Sequence, residues 1–125
     1  MELVNIDGAP RAIGPYCHAI KTGNLVFCSG QTPLDPETNL ITGSNISEQT
    51  KRALMNIETV LKGMGLSLQN VVKSTVYLKD MDNFEGMNKA YEEIFYPHRP
   101  ARTTISIRKN PLDALVEIDC IAEIT

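Results

Sequence analysis

The sequence predicts an α+β fold, a mixed β-sheet with two helices packed on one face. Three observations lead there. Two stretches repeat their apolar residues at helical spacing, others alternate them as strands do, and a single strand separates the two helical stretches.

In chain order, CHAIKTGNLVFCSGQ at 17–31 reads as a hairpin, because alternating runs flank Gly23-Asn24, residues that tolerate positive φ in a two-residue turn. TPLDPETN, with two prolines, reads as loop, with room for a third short strand before the first helix. From Ile46 to Met64, the residues Ile46, Ala53, Leu54, Ile57, Val60, Leu61 and Met64 recur at helical spacing. Asn45 with Glu48 has the form of a capping box, and Gly63 or Gly65 can close the end. VVKSTVYLKD then alternates as a β-branched strand. Asp82 with Glu85 is read as the cap of the second helix, whose stripe is Phe84, Met87, Tyr91, Ile94 and Phe95 and which Pro97 stops. The last two strands lie in RPARTTISI and LVEIDCIAEI, with RKNPLDA as the turn between them.

A chain of 125 residues fits one domain, spanning 1–125, and with 42% apolar and 22% charged residues it can build an ordinary core. The net charge of -3 and the absence of a Lys/Arg run argue against nucleic acid as a partner. Cys17, Cys28 and Cys120 are odd in number and form no C-x-x-C, and the N-terminus lacks the pattern of a signal peptide. Reduced thiols in a cytoplasm are therefore expected. No apolar run approaches the ~20 residues of a membrane span. His18 and His98 stand far apart, without a cysteine cluster, so no metal is expected, and no glycine-rich phosphate motif calls for a cofactor.

Arg102 and Glu117 stand out because an ordinary sheet would accept Thr or Val there. Arg102, Thr104 and Ser106 share one strand face, and Leu115, Glu117, Asp119 and Ile121 share another. The alternate sets, Thr103, Ile105 and Ile107 with Val116, Ile118 and Cys120, are expected to meet the helices. If the final strands pair with Ile107 opposite Ala114, Thr104 falls opposite Glu117 and Arg102 opposite Asp119. Arg102 and Glu117 are then diagonal neighbours with Cβ atoms roughly 7 Å apart, close enough to address one small molecule. The plainer reading is a solvated ion pair worth under ~1 kcal/mol. Leu115 and Ile121 on the same face argue for a cover, and another subunit is the natural one.

Four segments, AIGPY at 12–16, FCSGQTPLDPETN at 27–39, VVKSTVYLKDMDNFEGMNKAYEEIF at 71–95, and RPARTTISI followed by LVEIDCIA, are together similar to the Rid (RidA) family of enamine/imine deaminases. The likeness runs along nearly the whole chain. It implies a RidA-like domain similar to barrel-type chorismate mutase. It also implies a homotrimer with a cleft at each subunit interface, and hydrolysis of 2-aminoacrylate or 2-aminocrotonate, as the imines, to 2-keto acids and ammonia.

Carried over position by position, the resemblance implies that Arg102 holds the substrate carboxylate and Glu117 positions water. Tyr16, Ser29, Gly30, Phe84, Asn88 and Thr104 would complete the site. Many members have Cys where this chain has Thr104, so thiol reactivity is not carried over. Each residue also has a plainer reading. Tyr16 can merely close a loop, Ser29-Gly30 can be a bulge, Phe84 can be core and Asn88 a solvated position. Cys28 reads as a buried hydrophobe, and His18 and His98 as a strand and a loop residue. Two other functions stay open: an RNA-acting endoribonuclease or translation inhibitor, and a protein that binds small carboxylates without turning them over.

Overall fold

Alternation and turn chemistry build most of the sheet. The computed structural model describes residues 1–125. Strands β1 (Glu2–Val4), β2 (Ala19–Thr22), β3 (Leu25–Gln31), β4 (Val71–Leu78), β5 (Ala101–Ser106) and β6 (Val116–Glu123) form one mixed sheet in the order β1-β2-β3-β6-β4-β5. Helices α1 (Ile46–Gly63) and α2 (Phe84–Phe95) pack against each other and against one face of it. None of the helices is long and apolar enough to cross a membrane. Gly23 takes φ +58° where β2 turns into β3, as the hairpin requires. The short strand comes before this hairpin, as β1 on the edge beside β2, and not after it, where Leu34 and Ile41 form only an isolated bridge.

The start of α1 is half a capping box. Asn45 Oδ1 accepts from the Glu48 N–H at 2.9 Å, but the Glu48 carboxylate accepts from the N–H and hydroxyl of Ser44, one residue earlier than expected. Gly65, at φ +75°, closes the helix: its N–H donates to Lys62 O and that of Leu66 to Leu61 O. The expected cap of α2 is wrong. Asp80, not Asp82, accepts from a backbone N–H, that of Asp82 at 2.8 Å. This opens a 3-10 turn, Met81–Asn83, that leads into α2, and Asn83 makes no side-chain cap bond.

The core lies between sheet and helices. Leu54, Ile57 and Leu61 of α1, Met87 of α2, and Val116 and Ile118 of β6 are at most 1% exposed, each contributing about 1.5–3 kcal/mol on burial. Two buried polar side chains of α1 tie in the loops. Asn56 Nδ2 donates to the carbonyls of Thr32 and Leu34, and Gln49 Oε1 accepts from the Leu115 N–H. Cys28 and Cys120 are buried cross-strand partners and remain free thiols. The neighbouring Cys28 thiol, with burial, pushes the Cys120 thiol well up, so Cys120 packs and does not attack.

The final strands do not form the expected hairpin. β4 lies between them, antiparallel to β6 and parallel to β5, with α2 as the crossover that a parallel pair needs. The register is Ser74 beside Arg102 and Tyr77 beside Glu117; Ile107 opposite Ala114 does not occur. For β6 the expected faces hold: Val116, Ile118, Cys120 and Ala122 are buried toward the helices. For β5 they are reversed. Arg102 inherits the face of Ser74, which lies buried beneath α2 with its hydroxyl 2.6 Å from Tyr91 Oη. Thr103 and Ile105 therefore look away from the helices. On that open face Phe27, beside Ile121, is 42% exposed and Ile105, beside Tyr77, is 41% exposed.

Candidate active site

Arg102 and Glu117 lie on opposite faces of the sheet, on strands separated by β4, so they are not the diagonal neighbours expected and cannot grip one small molecule within a single chain. Two half-sites result.

The first is on the helix side. The stripe that buries α2 sets Phe84, Met87 and Tyr91 over β5, and Arg102 runs between them. Its guanidinium carbon is 4.9 Å from the Tyr91 ring centre and 5.7 Å from that of Phe84, and Nη1 lies 4.0 Å from Met87 Sδ. The ion pairs of the chain are Lys51–Glu93, Lys62–Glu58, Lys79–Asp113 and Arg99–Glu92, so Arg102 has no carboxylate partner. Burial pushes the Tyr91 hydroxyl up, while the Ser74 hydrogen bond and the Arg102 charge pull it down. Asn88 lines the same cleft, a space of about 700 Å³. Asn88 Oδ1 is buried without a hydrogen-bond partner, and so is Thr104 Oγ1, two residues along the same strand face from Arg102. The solvated position read for Asn88 does not describe this oxygen, although the residue as a whole is half-buried. A planar cation stacked on aromatic rings, beside polar atoms left unsatisfied, is arranged for an anionic ligand with further hydrogen-bonding groups.

The second half-site is on the open face. β3 gains one residue against β6 between Cys28 and Gln31, so Ser29-Gly30 is a bulge, as the plainer reading had it, and also the floor under Glu117. A Cβ on Gly30 would stand 2.9 Å from Glu117 Cδ, so only glycine lets the carboxylate lie there. Ser29 Oγ donates to Cys17 O at 2.7 Å and holds the bulge to the preceding loop. Tyr16 does close that loop, its hydroxyl accepting from the Ile13 N–H at 3.3 Å, yet it is 46% exposed and lines a cleft of about 320 Å³ with Ser29, Gly30, Pro111 and Glu117. Burial first, and then the negative Asp119, raise the Glu117 carboxyl above its ordinary value. Asp119 itself accepts from Tyr77 Oη at 2.9 Å; burial first, and then this bond, raise that phenol. A carboxylate with raised proton affinity can take a proton from water and return it.

The sequence-predicted residues thus gather as Tyr16, Ser29, Gly30 and Glu117 on one side, and Phe84, Asn88, Arg102 and Thr104 on the other. Tyr91 and Pro111 were not singled out. Tyr91 carried a signal, since it sits seven residues after Phe84 on the same helical stripe; Pro111 carried none, because only the folding of the 107–114 connection brings it to Glu117.

Residues 6–124 match the model of a family described as Endoribonuclease L-PSP. A RutC family protein of Pyrococcus abyssi is 47% identical over 121 residues, covering 97% of this chain and 95% of the relative. The chloroplastic Reactive Intermediate Deaminase A of Arabidopsis thaliana is 41% identical over 97% of this chain and 65% of its own length. Among solved structures, that of Escherichia coli TdcF with bound serine superposes with a TM-score of 0.94 at 31% identity, covering both chains fully.

Proposed function

The chain belongs to the Endoribonuclease L-PSP family, the Rid family its motifs resemble, and from that premise we propose that it hydrolyses 2-imino acids to 2-keto acids and ammonia. The observation that carries this reading is Arg102, a cation held between aromatic faces with no carboxylate of its own chain to neutralise it. A substrate carboxylate takes the two parallel N–H donors that the guanidinium presents.

The adjacent C=N carbon is then held in place for attack, and positioning of this kind supplies several kcal/mol of barrier reduction. Glu117 takes a proton as water adds to that carbon and passes it to the imine nitrogen, giving a carbinolamine; it then takes the proton of the new hydroxyl and hands it to the amino group, so that the C–N bond breaks, C=O forms and ammonia leaves. The net change is C=NH plus H2O to C=O plus NH3. Enamine substrates enter after tautomerising to the imine.

Because Arg102 and Glu117 lie on opposite faces, each working site pairs Arg102 of one copy with Glu117 of another, and the assembly is a homotrimer that covers the open face with its own kind. The half-exposed Phe27 and Ile105 support such a cover. The bound serine of TdcF, a small amino acid, is a ligand of the chemical class this reading requires.

The test generates 2-iminobutyrate with a dehydratase and follows 2-ketobutyrate release. The wild-type protein accelerates release, and Arg102→Ala returns it to the rate of buffer. Equal rates for the two proteins refute the role of Arg102, and a wild type no faster than buffer refutes the activity.

A further inference from the structure

His18, just ahead of β2, is 6% exposed and has no part in the roles assigned so far. Its ring makes two bonds: Nδ1 accepts from the Ile6 N–H at 2.9 Å, and Nε2 lies 2.7 Å from the Pro10 carbonyl oxygen. The first bond needs a bare Nδ1, which places the single ring hydrogen on Nε2, where it is donated to Pro10. The backbone of His18 is equally committed. Its N–H donates to Asn5 Oδ1 at 3.3 Å, and its carbonyl accepts from the Ser29 N–H at 3.0 Å.

One residue therefore ties two parts of the Glu117 half-site together. Through its ring it holds segment 6–10, which continues as Arg11, Ile13 and Tyr16 along the cleft. Through its carbonyl it holds the Ser29-Gly30 bulge on which Glu117 rests, and it lines the same cleft itself. An apolar side chain could fill the volume, but it would leave the Ile6 N–H and the Pro10 carbonyl without partners.

We propose that His18 is a positioning residue: as the neutral Nε2–H tautomer it locks the Tyr16 loop to the Ser29-Gly30 bulge, in the geometry from which Glu117 reaches the attacking water. This rests on the deaminase reading. The carboxylate is held by Arg102 of the neighbouring copy, which that copy's own Phe84 and Tyr91 fix in place, so the lock acts on the chemical step and leaves carboxylate binding alone.

The experiment compares wild type, His18→Leu and His18→Gln in 2-iminobutyrate hydrolysis, alongside calorimetric binding of 2-ketobutyrate. His18→Leu lowers kcat about tenfold with KM and keto-acid affinity changed less than about twofold. Glutamine, with an acceptor oxygen and an N–H donor at a similar span, restores kcat to within about twofold. An unchanged kcat in His18→Leu, a loss of keto-acid affinity in step with kcat, or a glutamine variant as poor as the leucine one overturns the proposal. Nitrogen-15 spectra of the wild-type ring give an arm that needs no variant to fold: a bare Nδ1 and a protonated Nε2 support it, and the opposite tautomer defeats it. A wild type without activity defeats the underlying reading and the proposal together; an active wild type with an unaltered leucine variant defeats the proposal alone.

Discussion

On the helix-covered face Arg102 lies against Phe84 and Tyr91 without forming an ion pair, while on the open face Glu117 lies over Gly30 with a second carboxylate, Asp119, adding to the burial that raises its proton affinity. Charges of opposite sign that would relieve each other are kept apart by the sheet itself. Each face is electrostatically incomplete in one chain. A pairing within one chain would have neutralised both; the separation leaves each without an ion-pair partner and marks both as candidates for function.

The sharpest way to break this comparison is complementation. Arg102→Ala and Glu117→Gln each lose activity about a thousandfold, and mixing the two inactive proteins under conditions of subunit exchange restores roughly a quarter of wild-type activity, since in the proposed trimer most random assemblies then hold one intact site. No recovery on exchange would mean that the two residues never share a site.

Next in size is stability. Ile118→Ala on the helix face costs about 2–5 kcal/mol in urea unfolding, because it opens a cavity in a fully packed layer. Phe27→Ala on the open face costs the separated protomer under about 1 kcal/mol and instead weakens the assembly, seen by sedimentation. Equal costs would show that the two faces are packed alike.

The smallest effect is in pH. The folded chain holds the Glu117 proton more tightly than the unfolded chain, so ionising this group costs stability above its folded pKa, and acid relieves that cost. Activity needs the ionised form. The rate therefore falls about tenfold per pH unit once acid passes a point above the ordinary glutamate value of 4.5. The Glu117→Gln variant lacks this limb; a wild-type limb at or below the ordinary value would contradict the burial of Glu117.

Much of this was legible in the sequence. The stripe from Ile46 to Met64 determined α1, the Gly23-Asn24 turn determined the hairpin, and the motifs around Tyr16, Ser29-Gly30, Asn88, Arg102 and Glu117 named residues that line two clefts, with Phe84 against Arg102. The sequence alone also determined which side of β6 is buried, because Val116, Ile118, Cys120 and Ala122 have no polar member among them. Only the tertiary structure decided where β5 goes and which way it looks. Alternation says which residues share a face, not which face meets the core, and an edge strand reading Arg-Thr-Thr-Ile is balanced enough to sit either way up. Its partner is chosen by long-range contacts. β4 slips between β5 and β6 because the α2 crossover returns the chain parallel to it, and that insertion sends Arg102 to one side of the sheet and leaves Glu117 on the other.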